Sequence, residues 1–204
     1  MKVNWKAAQK SQMEKRMNEM DTEAIEFGMA LGCIFCRNLR GFGKKRMNRL
    51  IRGTYEELVD RFIMYRESEE ETFSPDNIPL LYTGLRNQVK ALDVDVDAIE
   101  GEFSFPEVSS SAWDKNRARI RSNRRQVLLD REVLLRSYWY GMILHLWHEY
   151  DWGEHRLTNF YRFCREEYRD VYIQYLAYTP EQDTRIDQKV KETIALIKEM
   201  GVVF

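Results

Sequence analysis

An all-α fold is what this sequence predicts, on three observations. Charged residues make up 32% of the 204 residues, with only 4 Pro and 10 Gly, a composition that favours helices over a loop-rich sandwich. Apolar positions recur at helical spacing, as in Leu58, Val59, Phe62 and Tyr65, which gives one apolar face. The third observation is an internal match. The segment from Phe42 to Tyr65, FGKKRMNRLIRGTYEELVDRFIMY, aligns at a constant offset of 110 with WGEHRLTNFYRFCREEYRDVYIQY, from Trp152 to Tyr175. Eight of the 24 positions are identical: Gly43/Gly153, Arg46/Arg156, Arg52/Arg162, Glu56/Glu166, Glu57/Glu167, Asp60/Asp170, Ile63/Ile173 and Tyr65/Tyr175. Composition alone supplies about one or two. Upstream, Phe27-Gly-Met29 matches Tyr140-Gly-Met142 at an offset of 113. The match reads as a duplication, and predicts two related helix-turn-helix-helix units packed into one bundle. Their bounds are residues 1–92 for the first, 93–110 for an acidic connector, and 111–204 for the second, which includes a C-terminal helix.

The elements follow in order. Asp21 or Thr22 caps a helix that runs to about Leu39. Arg40-Gly-Phe-Gly43 breaks it, because glycine adopts the backbone angles of a tight turn. A short helix is predicted from Lys44 to Arg52, with Gly53 as its stop and Thr54-x-x-Glu57 as the capping box of the next helix. Ser74 to Pro79 reads as a loop and Leu80 to Leu92 as a helix. Asp93 to Pro106 has no helical period; a short strand there would have no partner. The second unit repeats the order, with Tyr168, Tyr172 and Tyr175 as its stripe. Its feeder helix starts near Ser110 or Ser111 and lasts to about Tyr150, and Asp151 is placed to cap the helix that follows. Thr179-Pro180 opens a last helix, stopped near Met200 by Gly201.

The totals narrow the function classes. A net charge of -1 exerts no overall pull toward nucleic acid or anionic membrane. No apolar run approaches the ~20 residues that span a bilayer, and the N-terminal stretch MKVNWKAAQKSQMEKRMNEMD lacks the apolar core of a signal peptide. Three cysteines are too few and odd in number for a disulfide framework. These features predict a soluble, reduced, cytoplasmic protein without a membrane partner.

All three histidines fall in LHLWHEYDWGEH, from Leu144 to His155. The order His145-x-x-His148-Glu149, with Glu154-His155 beyond a glycine, fits neither H-E-x-x-H nor H-x-x-E-H, which set two ligands and a base on one helical face. At an offset of 112, His145 and His148 fall on Cys33 and Cys36. Residues at i and i+3 share a helical face, so packing of the two units face to face would bring two thiolates and two imidazoles into a closed, structural zinc set. The plainer reading makes Cys33 and Cys36 small core residues and leaves His155 on the surface. No other cofactor is expected.

Two runs are purely cationic: Arg40 to Arg52, with Lys44, Lys45, Arg46 and Arg49, and Lys115 to Arg125, with Arg117, Arg121, Arg124 and Arg125. The first begins a helix, where backbone amides and lysines could receive a phosphate or an acidic partner; solvated helix faces are the plainer reading. Arg52–Glu56 and Arg162–Glu166 are i,i+4 pairs, and their presence in both units suggests a buried or inter-helix role. Half of the aromatic residues lie between Tyr138 and Tyr178. Most belong to the core by spacing; Trp139, Tyr150 and Tyr161 are the ones expected to reach a partner.

The fragments FGKKRMNRL and WGEHRLTNF, each after a feeder helix, and the terminal IKEMGVVF resemble small accessory proteins of phages, prophages and mobile elements of Gram-positive bacteria, over roughly residues 25–65 and 138–204. That group brings no assigned chemistry. The resemblance implies an accessory role, such as inhibition of a host defence complex or sequestration of its nucleotide signal. The function expected is therefore a non-enzymatic helical protein that binds and blocks a macromolecular partner, a host or phage protein complex first, with oligomerisation open. Two alternatives stand beside it: a nucleic-acid or nucleotide binder using the basic surfaces, and a metal-dependent hydrolase around His145, His148, Glu149 and His155.

Overall fold

The computed structural model describes residues 23–39, 41–65, 78–103, 133–176 and 180–204, apart from 24 and 134, with backbone alone over 61–65, 78–80, 172–176 and 180–187. Among the described residues all regular structure is helical: α1 over 25–38, α2 Lys44–Tyr65, α3 Ile78–Lys90, α4 Val96–Glu102, α5 over 135–150, α6 Glu154–Leu176 and α7 Pro180–Glu199. The all-α expectation holds, and no helix among these residues is long and apolar enough to cross a membrane.

The junctions α1–α2 and α5–α6 are built alike. Gly41 has φ 104 and Asp151, 110 residues on, has φ 52, so one left-handed residue reverses the chain at the same place in both. Asp151 therefore ends α5 rather than capping α6, contrary to expectation; a short polar side chain tolerates this conformation. The carbonyl of Gly43 accepts from the amides of Arg46 and Met47, and that of Gly153 from Arg156 and Leu157, at 3.0–3.2 Å. Burial then agrees at every matched position from Phe42/Trp152 to Ile51/Tyr161.

Gly53 does not stop a helix. α2 continues through it, and Thr54 donates its hydroxyl to the Leu50 carbonyl at 2.7 Å instead of capping a new turn. The reason lies across the core: a Cβ on Gly53 would sit 1.9 Å from Cε1 of His145. The glycine marks a close helix approach. Likewise, the segment expected as a structureless connector contains α4. Asp95 caps it by accepting from the Ala98 amide at 3.2 Å, and Val96 and Ile99 are its buried side. Two apolar residues i,i+3 apart are too short a stripe to show a period.

The helix hairpins α2–α3 and α6–α7 also end alike. Pro180 opens α7. Gly201, with φ 78, closes it in a Schellman arrangement, its amide on the Lys198 carbonyl and that of Val202 on Ile197. After α3, Asp93 takes φ 62 and Val94 is buried, as Val202 is. At an offset of 108, VKALDV over 89–94 lies opposite IKEMGV over 197–202.

Each unit's long helix packs on the other unit's feeder. Phe35 of α1 meets Phe160 and Phe163 of α6, with ring centroids 5.6 and 5.4 Å apart. The matched pair on the other side is His145 of α5 over Gly53 of α2. Positions that match at 110 also touch each other, as about a two-fold axis. Phe42 and Trp152 are 5.7 Å apart, and a Cβ on Gly32 would lie 2.7 Å from Cε of Met142. Trp139 closes the α1–α5 contact by donating its indole N–H to the Gly28 carbonyl at 2.9 Å. The buried apolar residues of both halves form one core. Urea unfolding checks the close approach: Gly53→Ala should lose about 1–3 kcal/mol through overpacking, and His145→Ala in the same chain should recover part of it. Gly101→Ala, with open space around the added methyl, should gain about 0.5–1 kcal/mol from helix propensity.

Candidate functional site

The most elaborate polar site among the described residues is the seat of α4 on α6. Glu100 of α4 accepts from Tyr161 Oη at 2.9 Å, from Tyr82 Oη at 3.3 Å and from Arg86 Nε at 3.3 Å. Tyr140 binds the same carboxylate, and Arg136 Nη1 lies 3.5 Å from it. Burial pushes the Glu100 carboxyl up, but Arg136, Tyr140, Tyr161 and Arg86 outweigh this and hold it below its ordinary value. Further along, Glu102 pairs with Arg162, and the buried Arg165 donates to the Phe103 carbonyl at 2.8 Å. Three residues on one face of α6, Tyr161, Arg162 and Arg165, are thus occupied by α4.

The matched face of α2 has a different fate. Arg162 corresponds to Arg52 and Arg165 to Tyr55. Arg165 is 1% exposed, whereas Tyr55 is 38% and Val59, one turn on, 55% exposed. Arg52 is exposed and makes an i,i+4 contact to Glu56 at 3.4 Å. Lys45 and Arg49 are exposed on the same side of the helix. Successive residues at i, i+4, i+7 and i+14 share a helical face, so Lys45, Arg49, Arg52 and Val59 form one open strip, with Tyr55 at its edge. The C-terminal segment lies beside the start of this helix: Asn48 donates to the Gly201 carbonyl at 3.1 Å and accepts from the Val203 amide at 2.9 Å. The two fragments FGKKRMNRL and IKEMGVVF thereby meet.

The expected cations divide into two kinds. Lys44 lies over Gly201, its Nζ 2.5 Å from where a Cβ would be, and Arg46 is tied back to the Gly41 carbonyl at 2.9 Å. Lys45 and Arg49 point outward. Arg117, Arg121, Arg124 and Arg125 lie outside the described residues. Of the expected contact aromatics, Trp139 and Tyr161 are fully buried and Tyr150 is half-buried, stacked on Phe42 at 4.9 Å. The first two are a correction. For Trp139 the reason is that α5 is apolar on nearly every side (Tyr140, Met142, Ile143, Leu144 and Leu146 are also buried), so its spacing marks no outer face; Tyr161, on α6, is buried against Tyr140 and Glu100. Among the described side chains, Trp147, 42% exposed, and Tyr55 are the exposed aromatics. The shared Arg/Glu pairs also part ways: Arg52–Glu56 is a solvent-exposed pair, while Arg162 reaches another helix.

Cys33, Cys36, His145 and His148 do not converge. Among the described residues no group of three or more His, Cys, Asp and Glu side chains is placed to hold a metal ion. Cys33 and Cys36 are buried near Cys164, and burial pushes Cys33 up to about 12 and the other two well above the ordinary thiol value. His145 is held low by burial against the pull of Glu149 and Glu57, with its Nε2 buried and unpaired. His148 binds Glu57 at 2.8 Å, and His155 sits on Asn159 at 3.2 Å, out on α6. Of the residues in the hydrolase alternative, His145 and His148 thus share Glu57 as a neighbour, while His155 lies apart on α6. The site that sequence reasoning missed is Glu100 with its tyrosines and arginines; its only advance signal was the acidic run Asp93 to Glu102.

Comparison with known proteins finds no family model, no curated protein and no solved structure that matches the chain.

The Glu100 site has a signature in pH. A carboxyl whose folded-state pKa is lowered contributes stability that is complete above its unfolded value and is lost as the pH falls through the folded one. Glu100→Gln should therefore lower the unfolding free energy by a constant amount between about pH 5 and 7, and the gap to the parent should close as the pH drops further. Glu100→Ala, which strands two arginines and three tyrosines, should cost about 3–5 kcal/mol near pH 7. A gap independent of pH would contradict an ionised, partnered Glu100.

Proposed function

We propose that this chain is a duplicated helical unit that works as a non-enzymatic binding protein, holding a macromolecular partner on the outer face of α2. The observation that carries this reading is the open strip itself. Tyr55 and Val59 stand exposed beside Lys45, Arg49 and Arg52, whereas Arg162 and Arg165, the α6 residues that match Arg52 and Tyr55, are engaged by α4 and the residue after it. Apolar side chains ringed by cations suit a contact in which an aromatic anchor supplies area and charge supplies orientation. The duplication is supported by the like junctions at Gly41 and Asp151, by the agreement in burial that follows them, and by the like helix ends at Asp93 and Gly201.

The alternative of a nucleic-acid or nucleotide ligand draws on the start of α2, whose first turn carries no acidic residue. It is the weaker reading, because Arg46 is tied to the Gly41 carbonyl and Lys44 lies against Gly201.

Tagged full-length protein, incubated with a lysate of the organism that encodes it, tests the reading. The variant Arg49→Glu/Arg52→Glu/Tyr55→Ala should lose at least tenfold of the co-purifying partner, with its melting temperature within about 3 °C of the parent, since exposed substitutions cost little. Arg162→Glu, which strikes the covered face of α6, should lower the melting temperature instead. Retention of the partner by the triple variant would end the proposal.

A further inference from the structure

We infer that the outer face of α2 is a seat for an acidic amphipathic helix of a partner protein, the counterpart of the seat that α4 fills on α6. This rests on the reading of that face as the contact surface, and adds what it holds. The precedent is internal. On α6, a seven-residue helix reaches Tyr161, Arg162 and Arg165 through Glu100, Glu102 and the Phe103 carbonyl. Its apolar side, Val96 and Ile99, turns into the core, while Asp97 faces Arg86 and Lys90. Acidic residues on one side and small aliphatics on the other are what that seat selects.

Of the three seat residues α2 keeps one arginine, and the buried Ile51 stands where Tyr161 stands. Arg52 stands where Arg162 stands, and Tyr55 replaces Arg165 with an apolar surface carrying a hydroxyl. Lys45 and Arg49 extend the positive strip toward the start of the helix; Glu56, 3.4 Å from Arg52, and the exposed Asp60 are the carboxylates beside it. Val59 supplies an apolar floor one turn beyond Tyr55, 55% exposed. An occupant must offer carboxylates to three cations and an aliphatic edge to Tyr55 and Val59. A nucleic acid would meet the cations but leave the apolar floor uncovered; a neutral apolar helix would cover the floor and leave the cations unanswered. Charge on one edge and aliphatic surface on the other define an acidic amphipathic helix.

The probe is a capped synthetic peptide of the α4 sequence, VDVDAIEGEF, titrated into the isotope-labelled full chain and followed by amide shifts. The expected result is saturable shifts at Arg49, Arg52, Tyr55 and Val59, with a dissociation constant of about 1 mM or below. Affinity should fall at least tenfold in Arg49→Glu/Arg52→Glu and weaken with added salt. Three results would overturn the inference: shifts confined to α6 and the α4 seat, equal binding of a peptide with its acids changed to amides, or tighter saturation of the same α2 amides by a single-stranded oligonucleotide. Sedimentation of the free chain adds a fourth, a dimer broken by Tyr55→Ala, which would make a second copy the occupant. If the peptide fails while the triple variant still loses its captured partner, the acidic-helix inference falls and the contact surface stands.

Discussion

The contact on which the rest of the structure depends is the crossing of the two helical units about Phe42 and Trp152. Around it, Phe35 packs edge-on against Phe160 and tilted against Phe163, and Trp152 makes edge contacts to Phe35, Phe42 and Phe160. Each such pair adds about 0.5–1.5 kcal/mol beyond the area it buries. Two glycines let the helices come close enough for this. Gly32 faces Met142 and Gly53 faces the ring of His145, both at separations no Cβ could occupy without a shift. Each feeder helix lies on the other unit's long helix, and α5 packs on α6 of its own unit as well, through Trp139 and Tyr140 against Tyr161 and Tyr168, so the two halves share one core.

The likeness of the two helix junctions makes the differences around them informative. Where Phe35 packs on Phe163, the other side has His145 on Gly53: a large pair has become a ring over a bare backbone. The larger exception is α4. It brings Glu100 into a half-buried site at the expense of the carboxylate's hydration, and the cost is offset by tyrosine hydroxyls and two guanidinium groups. A site of this kind specifies one docking geometry, since a shift of α4 would leave charge unpaired. It also distinguishes the two long helices, one covered by acid-bearing chain and the other open.

How much of this was legible follows from the range of each interaction. Local signals held: Pro180 at the start of α7, Gly201 after its end, and the Gly41–Gly43 break all act within a few residues. Gly53 and Thr54 misled for the same reason, since a glycine before a capping-box pattern is locally a helix end, and only the His145 ring across the core explains why the helix continues. Trp139 was mistaken for a surface residue because α5 is apolar almost all round, leaving no polar stripe to orient it; Tyr161, on α6, is buried by long-range contacts to Tyr140 and Glu100. Glu100 finds Tyr140 and Tyr161 at separations of 40 and 61 residues, and nothing in a single sequence pairs positions so far apart. The internal match reached furthest, since it placed both junctions and pointed to the alignment of Arg52 with Arg162 that gives the open face its meaning.

Native-state hydrogen exchange tests the interlocked packing most directly, because it reads the opening free energy of each helix in the intact chain. If the feeders are held by the opposite unit, the slowest amides of α1, α2, α5 and α6 will exchange through one shared opening at a common free energy. Two separate openings, one for α1 with α2 and another for α5 with α6, would mean that each unit closes on itself and would contradict the crossed arrangement.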